Sequence, residues 1–178
     1  MYFAALVLPE ELNQKVLKYK LYMQDRYECR VGLKSPAHIT IIAPFWHEEE
    51  KEKDLVRLVE NISEHSHPFL ISTDNFSAFK PKTIFIALKE NEHLSHLKRK
   101  ADEILLQHEE IAIKPDDRPF HPHITIATRD LYKKDFRDAW THFAEKEFRE
   151  QWIVEGLSLL RHNKKNWDVI YTSQFRNI

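Results

Sequence analysis

The stretch "PFHPHITIAT", Pro119 to Thr128, carries the tetrapeptide His-Ile-Thr-Ile at residues 123–126. The same tetrapeptide stands at residues 38–41, inside "SPAHITIIAP", Ser35 to Pro44, and again follows closely on a proline. Strict alternation of polar and apolar residues is the pattern of a strand with one buried face. His38 and Thr40 therefore point one way, and Ile39 and Ile41 the other. His123 and Thr125 are set against Ile124 and Ile126 in the same manner. The isoleucines anchor each strand in a core, so each His/Thr face is left for water, a ligand or its counterpart. The two words lie about half a chain length apart, which suggests an internal duplication with each half supplying one such strand. If a pseudo-two-fold axis relates the halves, both polar faces look into one groove holding two imidazoles and two hydroxyls.

Outward from these strands the chain alternates strand and helix patterns. "YFAALVL" (Tyr2–Leu8) reads as a buried strand, and Pro9 opens a helix to about Arg26 with Leu12, Val16, Leu17 and Met23 at helical spacing. "HITII" (His38–Ile42) reads as a strand ended by Pro44, and "EEEKEKDLVRLVENISEHS" as an acid-led helix. "FLISTDNFSAF" and "TIFIAL" read as paired strands around Lys80-Pro81-Lys82, and "EHLSHLKRKADEILLQHE" as a third helix. After the polar loop "KPDDRPFHP" come the strand "HITIAT" (His123–Thr128) and a fourth helix from about Lys133 to Lys146. "WIVEGLSLLR" and "WDVIYTSQF" close the chain as two strands around the turn His162–Asn166. Connections between the paired strands are too short for parallel crossovers, so the expected class is α+β with mostly antiparallel sheets.

Composition narrows the function. Hydrophobic residues make up 42% of 178, enough for a packed interior and too many for a disordered chain. Lys and Arg number 27 against 28 Asp and Glu, a formal charge of −1. That balance argues against a partner held mainly by a long phosphate backbone, and leaves room for a short nucleotide held by local cations. Cys29 is the only cysteine, so no internal disulfide forms and a cytoplasmic location is expected. "MYFAALVLPEELNQKV" lacks a basic lead and a small-residue cleavage site, and reads as a first strand. No apolar run approaches the roughly 20 residues of a membrane span, so no membrane partner is expected. Two glycines in the chain argue against a glycine-rich phosphate loop.

Two imidazoles and two hydroxyls in one groove suit phosphate chemistry. Histidine titrates near neutrality, so one ring serves as base while the other serves as acid. Threonine hydroxyls hold non-bridging phosphate oxygens and keep phosphorus in line between the rings. This scheme requires no metal and no cofactor. A single His-x-Thr in a strand is ordinarily structural; repetition at half-chain spacing shifts the balance to function. Further candidates for substrate contact are Arg118, whose guanidinium forks onto phosphate, and Phe45, Trp46 and Phe120, whose rings offer stacking faces for a base. Lys80 and Lys82 read as surface charge. The pairs His93/His96, His65/His67 and His121/His123 lack carboxylate or cysteine partners at ligand spacing, so no metal site is assigned.

The paired words resemble the two His-x-Thr-hydrophobic signatures of the 2H phosphoesterases, in particular the 2'-5' RNA ligase or RNA 2',3'-cyclic phosphodiesterase branch. "FAALVLPEELNQKV" is similar to that family's opening strand and proline-started helix, "RPFHPHITIAT" to its second motif block, and "IVEGLSLLRHNKKNWDVIYTSQF" to its closing hairpin. The resemblance implies one bilobal α+β domain over residues 1–178, with two mostly antiparallel sheets and outer helices around a central cleft. It implies metal-independent opening of a 2',3'-cyclic phosphate, with reversible 2'-5' ligation as a related activity. His38 and His123 would be catalytic and Thr40 and Thr125 would bind phosphate; the family's usual assignment has His123 activate water and His38 protonate the departing ribose oxygen. RNA ends or small cyclic nucleotides are the expected partners, with a monomer favoured. Two departures stand out. Ala127 is followed by Thr128 before Arg129, and "IIAPFW" replaces the commoner aromatic-Leu-Gly sequence after the first motif. The competing readings are a non-catalytic RNA-end or nucleotide binder and a metal-dependent phosphohydrolase.

Overall fold

Strand β1 (Tyr2–Val7) alternates two sets of apolar side chains, and the two sets enter different clusters. Tyr2, Ala4 and Leu6 join the large core that also takes the helices' apolar stripes; Phe3, Ala5 and Leu160 form a small second cluster on the other face. The computed structural model describes residues 1–108, 111, 113 and 118–176. After β1 come helix α1 (Glu10–Tyr27), β2 (His38–Phe45), α2 (Glu52–Glu64), β3 (Phe69–Phe79), β4 (Thr83–Leu88) and α3 (Glu92–Gln107). Then follow β5 (His123–Ala127), α4 (Lys133–Phe143), β6 (Gln151–Val154), β7 (Gly156–His162) and β8 (Trp167–Gln174). Residues 114–117 of the expected polar loop lie outside the described residues.

Glu10 and Glu11 open α1, where carboxylates favour the positive end of the helix dipole. Glu28 then ends it in the left-handed region at φ 58°. The Asn91 side chain caps α3 by accepting from the Leu94 N–H at 2.9 Å. Ile39, Ile41, Ile124 and Ile126, all essentially inaccessible, share the helix-covered core. Each buried isoleucine is worth roughly 2 kcal/mol against exposure, which pins the register of β2 and β5.

The class is α+β, with antiparallel pairing throughout. The two sheets expected from the sequence are joined into one, in the order β6-β3-β4-β5-β2-β1-β7-β8. The join is a single residue pair, Ile39 with Ile124. Outward from that join the order is β2-β1-β7-β8 on one side and β5-β4-β3-β6 on the other, a pseudo-two-fold arrangement. The two sides do not follow the two halves of the chain: β4 and β3, from the first half, lie on the β5 side, and β7 and β8, from the second half, lie on the β2 side.

Two sequence expectations are corrected. β2 runs through Pro44 to Phe45, where Tyr2 pairs with Phe45 beyond a register shift. β5 meets β2 only at Ile39, so the far end of β2 has a free edge, where proline is tolerated. "WIVEGLSLLR" is two strands. β6 pairs with β3 and β7 pairs with β1, on opposite halves of the sheet. The break falls at Glu155-Gly156, where a Cβ on Gly156 would meet the Ser173 carbonyl oxygen at 2.6 Å, so only glycine admits that close approach. Among the described residues no helix is long and apolar enough to cross a membrane.

Candidate active site

The lead-in to His38 is held from two elements. The Leu8 N–H donates to the Ala37 carbonyl at 3.0 Å, and the Ala37 N–H donates to Asn13 Oδ1 of α1 at 2.8 Å. His38 then folds its ring back so that Nδ1 meets the Pro36 carbonyl at 2.8 Å. The second word repeats this device: His123 Nδ1 lies 2.6 Å from the carbonyl of His121, again two residues upstream. A carbonyl only accepts, so in each neutral ring Nδ1 carries the proton and Nε2 keeps the free lone pair. Both rings also rest on an aromatic of the neighbouring strand, His38 on Phe3 at 4.9 Å and His123 on Phe85 at 5.0 Å.

The Ile39–Ile124 pairing fixes how the four polar groups face one another. Continuing the antiparallel register by one residue each way sets His38 opposite Thr125 and Thr40 opposite His123. All four lie on the face away from the isoleucines and are partly accessible. Each histidine therefore stands beside the other strand's threonine. The groove divides into two cavities that share Thr40. One of about 510 Å³ is lined by His123, Phe79, Phe120, Lys98 and Arg118. One of about 460 Å³ is lined by His38, Thr125, Lys20, Lys34, Arg129 and Trp167. Neither lining includes an aspartate or glutamate.

Burial governs the titration of both rings. Desolvation lowers His38 to about 4, with the Pro36 carbonyl opposing and the charges of Lys20 and His123 adding to the drop. His123 is also lowered, first by desolvation and then by His121, with the His121 carbonyl opposing. Both imidazoles are thus neutral at pH 7 and present an Nε2 lone pair. A bound phosphate anion reverses this bias, because negative charge favours the imidazolium.

Of the other sequence candidates, Arg118 and Phe120 line the His123 cavity. Phe45 is turned towards Tyr2, with ring centroids 6.3 Å apart, and packs against the core. Trp46 is 77% exposed and lines neither cavity. Phe3, Phe79, Lys20, Lys34 and Trp167 were not among the candidates from sequence. For Lys20 a signal was present: it takes the next position in the stripe Leu12, Val16, Lys20, Met23, where helical spacing demands an apolar residue. Among the described residues no three His, Cys, Asp or Glu side chains converge as a metal-ion site.

The sequence and the fold have known counterparts. The model of the 2'-5' RNA ligase superfamily matches residues 9–166. A Geobacillus thermodenitrificans protein with phosphoesterase in its name is 29% identical over 139 residues, 77% of this chain and 76% of that one. The RNA 2',3'-cyclic phosphodiesterase of Thermus thermophilus is 26% identical over 176 residues, 96% of this chain and 85% of that one. Escherichia coli LigT, solved in complex with 3'-AMP, superposes with a TM-score of 0.69 over 99% of this chain and 98% of that one, at 17% identity.

Proposed function

The chain belongs to the 2'-5' RNA ligase superfamily, and from that premise we propose that it is a two-histidine phosphodiesterase opening 2',3'-cyclic phosphates at RNA ends or in small nucleotides. The observation that carries the reading is the crossed square of His38, Thr125, His123 and Thr40 on the open face of the β2/β5 join. One Nε2 takes a proton from water as the water oxygen bonds to phosphorus. The P–O3' bond breaks, the other ring, as imidazolium, delivers its proton to the departing ribose oxygen, and a 2'-phosphate remains. The threonine hydroxyls donate to the non-bridging oxygens during this in-line exchange. With a 5'-hydroxyl in the place of water the same ring opening, P–O5' bond formed and P–O3' bond broken, leaves a 2'-5' phosphodiester, which accounts for 2'-5' ligation as a related activity.

The names of the relatives and the 3'-AMP complex of LigT support a nucleotide or RNA substrate. The carboxylate-free linings support an anionic one. We read the chain as a monomeric bilobal domain over residues 1–178, each half supplying one His-x-Thr strand. A cytoplasmic location accords with a single cysteine, Cys29, which is buried and unpaired.

The family resemblance gives water activation to His123 and leaves His38 as the acid; burial keeps both rings neutral and does not separate them.

Turnover of 2',3'-cyclic mononucleotides by the purified protein tests the proposal. Activity is expected to survive EDTA and to be nearly abolished in His38→Ala and in His123→Ala. Near wild-type turnover in both variants would refute it, and tight binding without turnover across a phosphodiester panel would assign the cleft to binding instead.

A further inference from the structure

Lys20 is 4% exposed, on the core-facing stripe of α1. Its ammonium has one hydrogen-bond partner, the Ser35 carbonyl at 3.1 Å. Among the described residues it has no carboxylate within ion-pair distance. An ammonium carries three N–H donors, so among the described residues two are left without protein acceptors. Buried charges are ordinarily paired, and a lysine here is costly unless something compensates it.

The surroundings show where the compensation enters. The Lys20 side chain passes Gly32, where an added Cβ would lie 3.9 Å from Lys20 Cδ and 2.5 Å from the Ile126 carbonyl oxygen. One of the chain's two glycines thus lets the one-turn 3-10 segment Val31–Lys34 close onto the β5 backbone, beside the lysine stem. Lys20 lines the His38 cavity together with Lys34, Arg129 and His162 and no acid, and its ammonium sits on the carbonyl of Ser35, which lines the same cavity. Asp130, next in sequence to Arg129, is turned instead to the backbone N–H groups of Arg30 and Val31.

We propose that Lys20 is a substrate-contacting residue, the buried cation that meets the non-bridging phosphate oxygens from the His38 side of the cleft. The proposal rests on the phosphodiesterase reading and deepens it: the charge that accumulates on phosphorus is met by an ammonium built into the core. The same proximity appears in the Coulombic effect of Lys20 on His38. Burial lowers the ammonium itself to about 8, so it is mostly charged at pH 7 and loses its proton as pH rises through that value. A bound phosphate holds the proton on and moves that titration upward.

The decisive probe is inorganic phosphate, which reports on the subsite whether or not the protein turns over a cyclic phosphate. In wild-type protein the Lys20 side-chain NMR resonance is expected to titrate near 8 and to shift to higher pH on adding phosphate. Lys20→Met, which keeps the length and loses the charge, is expected to bind phosphate about tenfold more weakly and to lower kcat/KM for a 2',3'-cyclic mononucleotide about 10- to 100-fold. Its thermal midpoint should equal or exceed that of wild type, because an unpaired charge has left the core. Wild-type phosphate affinity is expected to weaken above pH 8, and that of Lys20→Met to lack this step. A Lys20 resonance indifferent to phosphate overturns the proposal, as does a folded Lys20→Met with affinity and turnover within twofold of wild type. If Lys20→Met does not fold, the wild-type titration decides.

Discussion

The two ends of the cleft carry the same four-residue word and the same ring-to-carbonyl hydrogen bond, yet their surroundings differ. Around His38 stand Lys20, Lys34 and Arg129, with Trp167 edge-on to Phe3 at 4.7 Å. Around His123 stand Phe79, Phe85 and Phe120, and the nearby Lys98 is bound to Asp102 at 2.6 Å. The first wall holds three cations against Lys98 and Arg118 on the second, and the second holds three phenylalanines against Phe3 and Trp167 on the first. On the proposed reading a symmetric acid–base pair has no preferred direction, and the walls would supply it, the denser charge drawing phosphate towards His38 and the flat rings offering a base a surface beside His123.

The largest expected effects break the symmetry at the rings. His38→Ala and His123→Ala should each lower kcat for cyclic-phosphate opening about 10²- to 10⁴-fold. A phosphodiester with a weakly basic leaving group then separates the two, since it needs no acid. The variant whose rate it restores lacks the acid, and restoration of both or neither would contradict a division of labour. Thr40→Val and Thr125→Val come next, each costing about 10- to 100-fold in kcat/KM through a lost hydrogen bond to charged oxygen. Equal losses would mean that the walls do not tilt the phosphate.

Stability against pH sharpens the comparison further. An unfolded His38 takes a proton near 6.5 and the folded one only near 4, so between those values the unfolded chain holds more protons. Stability should fall as pH drops through that window, by about 2–3 kcal/mol for His38. His123 contributes with the same sign. Urea unfolding at pH 7 and pH 4 should therefore show a smaller pH effect in His38→Ala than in wild type. The smallest effect belongs to the His123 wall. Phe79 is 42% exposed beside His123, and Phe79→Ala should raise KM for a cyclic nucleotide about threefold to tenfold with kcat nearly kept.

Much of this architecture was legible because it is local. The bounds of β3 and β4 follow from alternation and turn residues, and the orientation of His38 and Thr40 against Ile39 and Ile41 follows from the two-residue period. What was not legible depends on partners distant in the chain. "WIVEGLSLLR" reads as one strand because its apolar run continues, while its division depends on β3 and β1 taking different parts. Pro44 stops a strand only where both edges are paired, and β5 leaves one edge free. Phe3 and Phe79 become site residues only once the order of strands puts them beside a histidine. Lys20 was legible in principle, as a cation in an apolar stripe, but its value lies in the cavity at the far end of its side chain.

The pairing of β1 with β7 bears on how the protein is made. Ala5 of β1 pairs with Ser158 of β7, so on the ribosome β1 has no outer neighbour until the chain has been extended by about 150 further residues. The wall that carries His38 is therefore completed last, from contacts of long sequence separation, and such contacts slow folding. A nascent chain stalled before β7 would hold β1 with one edge bare, an apolar strand open to chaperones and to other copies of itself.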